Sequence, residues 1–300
     1  MASEIDALNV SKLLNLARLC KSVWQHPANR ERKFKAFFDL LKWQANKQFL
    51  SRDMLIDYHG LKFICFNDSH SSSAVIYYNG QPDFTEMQFM KSYLKPGDAY
   101  LDIGANIGTY SLYAASLVGD KGVVDAFEAG PETSDKLKKQ ITLNQLSQVN
   151  LHCVAVSDKN GEINFDLTAD DCTAHISFDD GDNDGLRKIK TVRLDDYLNP
   201  VVNYAMGKMD IEGAEILALK GAENMLSQAN PPVWQLELAG YSNRYGYRSD
   251  QVLDYLKEFD YHCAIYDSAE NKINFIDKPW ASGYQNILAI HQSANISLFS

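Results

Sequence analysis

A chain of 300 residues, 45% hydrophobic and 23% charged, can bury a full core without metals or disulfides, and it shows no low-complexity tract or internal repeat. Its 39 acids against 29 bases give a net charge of -10, which repels a phosphate backbone; no basic run is evident to override that, so no nucleic-acid partner is expected. Five scattered cysteines without a C-x-x-C pair argue against a disulfide framework or zinc knuckle, Glu4 and Asp6 stand where a signal peptide carries positive charge, and no apolar run reaches the ~18 residues that span a bilayer. A cytoplasmic chain without membrane insertion is expected.

Residues 1–66 read as a helical extension followed by a hairpin. Leu13, Leu16, Cys20 and Val23 recur at helical spacing over 11–24, and Phe34, Phe37, Phe38 and Leu41 do so over 29–49, with a turn at His26-Pro27 between them. Met54–Tyr58 and Leu61–Phe66 flank Gly60 as a hairpin.

Residues 67–300 read as the catalytic domain. After a helix ending at Lys95-Pro96-Gly97, strands at Ala99–Ile103, Val123–Phe127, Leu151–Val156, Tyr204–Met209, Val233–Leu238, Tyr261–Tyr266 and Asn286–Ile290 alternate with helices near 108–118, 131–145, 214–228 and 249–258. That rhythm predicts an α/β fold with a mostly parallel sheet covered on both faces. No helix separates the last two strands, so 267–285, with its short apolar piece Ile273–Ile276, is expected to return antiparallel. Residues 159–197 break the rhythm with strand-like pieces at Glu162–Leu167 and Ile189–Leu194, an insertion placed to shape an acceptor site.

The segment Asp102-Ile-Gly-Ala-Asn-Ile-Gly108 puts an acid at a buried strand end and glycines where the chain turns into a helix whose first N–H groups lack partners. It is G-x-x-x-G, without the middle glycine that admits a pyrophosphate, so a ligand lacking phosphates fits better. Asp102 then serves a cationic amino-acid moiety, directly or through water. The next strand ends in Glu128, placed to take both hydroxyls of a ribose. Val154 and Ala155 are placed to frame an adenine ring, with Asp158 capping it or starting a turn.

In Lys208-Met-Asp-Ile-Glu-Gly-Ala-Glu215, Lys208, Asp210 and Glu212 share one parity at the end of a buried strand, where charge is costly unless paired or used. Glu215 reads as a complement to the following helix dipole. Asp210 and, on the neighbouring strand, Glu237 fall at the carboxyl edge of the sheet, where open α/β sheets place ligands.

Taken in order over residues 86–240, these pieces, with Phe127-Glu128, Ala155-Val-Ser-Asp158, Leu194-Asp195, Leu219-Lys-Gly-Ala222 and Leu236-Glu237, resemble the FkbM-type methyltransferase family. One departure is Phe127-Glu-Ala-Gly-Pro131, where members more often have Glu-Pro; the acid is kept and only the loop after it differs. The resemblance implies a Rossmann-like class I methyltransferase sheet and S-adenosyl-L-methionine as cofactor, bound by Asp102, Gly104, Asn106, Gly108, Glu128, Val154, Ala155, Asp158 and Asp210. It also implies methyl transfer to a hydroxyl of a sugar, glycan or small natural product.

For that reaction Asp210 is the first candidate base and Glu237 the second, while Lys208 either orients the acceptor or snorkels to the sheet edge. Asp210 and Glu237 holding magnesium ranks below a metal-free site. Asp180-Gly-Asp-Asn-Asp-Gly185 copies half a calcium loop but has Thr191 at the twelfth position, and reads as a solvated acidic loop. His175, Tyr241, Tyr245 and Tyr247 are each either acceptor contacts or ordinary packing and surface residues. A nicotinamide oxidoreductase, an inactive cofactor-binding module and a homodimer stay open.

Overall fold

The structure, a computed structural model, describes residues 15, 17–69, 72–166, 175–177, 186–238, 241–279 and 286–299. The chain forms two compact units. The first comprises the described residues up to Tyr58 together with Phe63–Phe84. In it a helix over 17–25 (α1) precedes Lys33–Ala45 (α2), which turns Ala36, Leu40 and Trp43 inward against Ser72–Asn79 (α3). The expected hairpin forms from Met54–Tyr58 (β1) and Leu61–Cys65 (β2), with Gly60 at φ 85, a conformation that glycine adopts without a Cβ penalty.

The second unit holds His59–Lys62 and Thr85–Ser300. After Phe84–Tyr93 (α4) come Ala99–Ile103 (β3), Thr109–Val118 (α5), Val123–Phe127 (β4), Pro131–Asn144 (α6) and Val149–His152 (β5). Next are Ala155–Val156 (β6), Gly161–Asp166 (β7), His175–Ser177 (β8), Leu186–Val192 (β9) and Leu194–Tyr197 (α7). Tyr204–Met209 (β10), Glu215–Lys220 (α8), Glu223–Ser227 (α9), Val233–Glu237 (β11) and Ser249–Lys257 (α10) follow. The chain closes with Tyr261–Asp267 (β12), Lys272–Phe275 (β13) and Asn286–His291 (β14).

The main sheet has eight strands in the order β13-β12-β14-β11-β10-β3-β4-β5. The run from β11 through β10, β3 and β4 to β5 is parallel. The antiparallel return expected after residue 267 is made twice: β13 folds back on β12, and β14 inserts antiparallel between β11 and β12. Order and directions are those of a Rossmann-like class I methyltransferase sheet. The central strands are nearly all apolar and fully buried, as a sheet covered on both faces requires.

Two expected elements are corrected. Leu151–Val156 is not one strand: β5 ends at His152, and β6 leaves to pair with β9 in a second sheet of order β6-β9-β7-β8, built from the insertion. The helix expected over 214–228 breaks into α8 and α9 at Gly221, where a Cβ would lie 2.1 Å from the Ser157 carbonyl oxygen. Asp195 restarts it, because its carboxylate accepts the Asn224 and Met225 N–H groups at 2.9 and 3.1 Å at the start of α9. The acidic loop 178–185, with its half calcium motif, lies outside the described residues.

Candidate active site

The carboxyl ends of β3, β4, β10 and β11 meet at one edge. Between β3 and α5 the chain turns through Gly104 (φ 83), Asn106 (φ 50) and Gly108 (φ 98). A Cβ on Gly104 would stand 1.9 Å from the Asp210 carbonyl oxygen, and one on Gly108 would stand 2.5 Å from Leu137. Gly104 is therefore fixed by contact with backbone, which lets the turn after β3 lie directly against the residue that follows β10, whereas at Gly108 it is chiefly the left-handed backbone that calls for glycine.

Glu128 locks this turn to the end of β4. The Gly104 and Ala105 N–H groups both donate to the Phe127 carbonyl at 2.9 Å, while the Asn106 N–H donates to Glu128 Oε2 and the Gly130 N–H to Oε1, each at 2.8 Å. A carboxylate offers about four acceptor positions. Two are taken by backbone, and the two left are the number that a ribose diol needs. Burial pushes Glu128 up to about 7 against the pull of the two N–H donors. Where relatives have Glu-Pro, the proline here falls at Pro131, the first residue of α6, a position where its missing N–H costs nothing.

Beneath the turn lies a polar layer. Asp102, Lys208 and Gln235 sit side by side across β3, β10 and β11, so their side chains share a face. Ser111 Oγ donates to Asp102 Oδ2 at 2.5 Å, and Gln235 Nε2 donates to the Tyr110 hydroxyl at 3.1 Å. The Lys208 ammonium lies 4.5 Å from the centroid of the Tyr110 ring. Asp102 is wholly buried, and its Oδ1 has no hydrogen-bond partner among the described residues. Its influence on a ligand therefore passes through its neighbours.

Lys208, Asp210 and Glu237 stand together where β10 and β11 end. Lys208 Nζ donates to Asp210 Oδ2 at 2.7 Å; its side chain is 7% exposed and that of Asp210 is 32% exposed. The sequence left open a lysine snorkelling to solvent, and the structure instead turns it inward onto Asp210 and Tyr110. Asp210 and Glu237 share a side-chain hydrogen bond, which with burial and the Asp210 charge pushes Glu237 up to about 9. Burial would raise Asp210 too, but the Lys208 charge and the bonds from Glu237 and Lys208 outweigh it and hold Asp210 below its usual value. The two shifts run in opposite directions, so Asp210 is the more readily ionised of the pair.

Glu212 is a third carboxylate that sequence reasoning left unassigned, although its parity with Lys208 and Asp210 was the available signal. It sits at φ 56, its Oε2 is buried without a partner among the described residues, and burial followed by the Asp210 charge pushes it up to about 7. Glu215 is structural, as read: its Oε1 accepts the Ile211 and Gly213 N–H groups at 3.2 and 3.1 Å.

Val154 and Ala155 are buried in the same core as Phe127, Val192 and Leu194. Asp158 lies just beyond β6 and accepts from Ser157 Oγ at 3.2 Å. Tyr245 is buried in the core, and Tyr247 packs beside it with its hydroxyl 3.0 Å from Lys220 Nζ. The side chains of His175 and Tyr241 lie outside the described residues.

The methyltransferase FkbM domain matches residues 102–263, more than half of the chain, and covers the end of β3 and all of β4, β10 and β11. The chain belongs to the FkbM methyltransferase family. The cofactor of this FkbM chain is S-adenosylmethionine, and a cradle with two open carboxylate positions on Glu128 fits a ribose-bearing group. Hexuronic acid methyltransferase AglP of Haloferax volcanii is 31% identical over 137 residues, covering 44% of this chain and 53% of that one. The FkbM chain thus spans about half the length of the curated relative it matches. Fibrillarin of Aeropyrum pernix, solved with natively bound S-adenosyl-L-methionine, is 11% identical with a TM-score of 0.42, covering 82% of this chain and 86% of that one. An O-methyltransferase of Thermotoga maritima is 14% identical with a TM-score of 0.39, covering 70% and 65%.

Proposed function

We propose that this FkbM chain transfers the methyl group of S-adenosylmethionine to a hydroxyl of a sugar or glycan. The observation that carries the reading is the Asp210–Glu237 pair of carboxyl groups, with the buried Lys208 ammonium 2.7 Å from Asp210 Oδ2. It stands at the sheet edge where Gly104 brings the cofactor turn against Asp210. The name of the Haloferax volcanii relative supports a sugar acceptor.

Glu128 would take the ribose hydroxyls. Gly104, Asn106 and Gly108 shape the turn beside it, Asp102 holds Ser111 by a hydrogen bond and stands next to Lys208 underneath, and Val154, Ala155 and Asp158 would border the adenine end. The cofactor supplies an already activated sulfonium methyl. What the chain adds is alignment of acceptor oxygen, methyl carbon and sulfur, worth ~7–11 kcal/mol, and a place for the proton, worth ~10²–10⁴-fold. The proton released by the acceptor hydroxyl would pass to Asp210. Asp210 is the ionised member of the pair and so the one able to receive it. Glu237 donates to Asp210, and Lys208 balances its charge. The free thiols of Cys20, Cys65, Cys153 and Cys263 suit a reducing compartment such as the cytoplasm.

Labelled-methyl transfer to uronic-acid-bearing and neutral saccharides tests the reading. Transfer by the native chain, lost in Asp210→Asn with cofactor binding kept, is the expected result. Binding of NADH but not S-adenosylmethionine overturns it, and so does Asp210→Asn at full rate.

A further inference from the structure

The charge of the chain is unevenly spread. From Arg18 to Asp53 nine Lys or Arg stand against three acids, although the whole chain carries a net charge of -10. No contiguous basic run marks this stretch, which is why composition alone pointed away from anionic partners.

The same stretch exposes large apolar side chains. At about 100° per residue, Phe34, Phe38 and Leu41 fall on one stripe of α2, and they are 73%, 60% and 42% exposed. Ala36, Leu40 and Trp43, the buried side of α2, lie on the opposite face. A surface helix of a soluble domain is ordinarily polar opposite its core; α2 is apolar on both faces, with Lys35 and Lys42 along one flank of the outer stripe. Trp24 of α1, 41% exposed, extends the patch by an edge-on contact with Phe34 at 5.5 Å. Phe49 and Leu50, 75% and 58% exposed, follow just after α2.

We propose that this helical unit docks peripherally on an anionic lipid surface, with Trp24, Phe34, Phe38 and Leu41 entering the headgroup boundary and the flanking lysines and arginines meeting lipid phosphates. Charge complementarity selects the partner, since a basic helix with an aromatic and aliphatic face is the composition of interfacial helices. Exposed leucines gain from hydrocarbon, whereas base stacking uses only the aromatic rings. No helix among the described residues is long and apolar enough to cross a membrane, so docking is on the surface.

The test is co-sedimentation of the full chain with phosphatidylcholine vesicles, with and without phosphatidylglycerol. Binding to the phosphatidylglycerol vesicles only is expected, weakening severalfold when salt rises from about 0.1 to 0.5 M. Phe34→Ser with Phe38→Ser should weaken it at least tenfold, with circular dichroism and S-adenosylmethionine binding unchanged, because both positions are exposed. Brominated lipid should quench fluorescence of the native chain and not of Trp24→Phe. The proposal is overturned by absent binding to phosphatidylglycerol vesicles, by a double variant that binds like the native chain, by tighter binding to duplex DNA than to vesicles, or by a dimer in solution that the double variant dissociates.

Discussion

Gly104→Ala strikes the joint between the turn after β3 and the residue proposed as base. The added Cβ would sit 1.9 Å from the Asp210 carbonyl oxygen and 3.1 Å from Ile211 Cγ2, on backbone at φ +83. Ordinary contact needs more than ~3 Å, so either the turn or the end of β10 must retreat by more than ~1 Å. The left-handed backbone costs ~1–2 kcal/mol and the overlap ~1–3 kcal/mol more. The total of ~2–5 kcal/mol lowers the melting temperature by roughly 5–15 °C for a domain of this size. Gly97→Ala is the matched control, at φ +94 with nothing within 4 Å of the new Cβ. It carries the backbone cost alone. Thermal melts and S-adenosylmethionine titrations of both variants separate the effects: Gly104→Ala should lose stability and cofactor affinity together, and Gly97→Ala should lose ~1–2 kcal/mol of stability and no affinity. Equal melting temperatures and equal affinities for the two would refute the claim that the turn and Asp210 are in contact.

Further outcomes follow from the buried charges. Lys208→Met strands Asp102 and Asp210 without their cation and should destabilise by ~3–5 kcal/mol in urea melts, with Asp102→Asn restoring part of the loss in the double variant; simple additivity would show that the layer is not coupled. Glu237→Gln keeps a donor toward Asp210 and should retain kcat within about tenfold, whereas Asp210→Asn should lower it by ~10²–10⁴; the reverse order in steady-state assays would exchange their roles. Glu128, Glu212 and Glu215 are raised to about 7 and Glu237 to about 9. Between their ordinary values and those values the folded chain holds more protons than the unfolded one, so stability falls as pH climbs from about 5 toward 9. Melting temperatures across that range should decline, and Glu215→Gln, which removes the group that is 1% exposed, should flatten the slope below pH 8; an unchanged slope would contradict the assignment.

Much of the fold was legible in the sequence because strands buried on both faces leave near-continuous apolar runs. β3, β4 and β10 carry their own boundaries in that way. The breaks at Cys153-Val154 and Gly221 were not legible, since they are dictated by partners distant in sequence: β9 takes up β6, and the Ser157 carbonyl leaves no room for a side chain at Gly221. At the site, parity marked Lys208, Asp210 and Glu212 as unusual, but which carboxyl keeps the proton depends on how β10 and β11 align. The glycines were visible as a turn; that Gly104 yields to Asp210 rather than to a ligand required the fold.

The central claim is that the cleft where β3 and β4 end grips the cofactor through Glu128. Calorimetric titration of S-adenosylmethionine into the native chain and Glu128→Ala at pH 8 tests it most directly. One-to-one binding by the native chain, weakened at least ~30-fold in the variant, is expected from loss of two charge-assisted backbone anchors and both ribose acceptors. Native-like affinity in Glu128→Ala would contradict it.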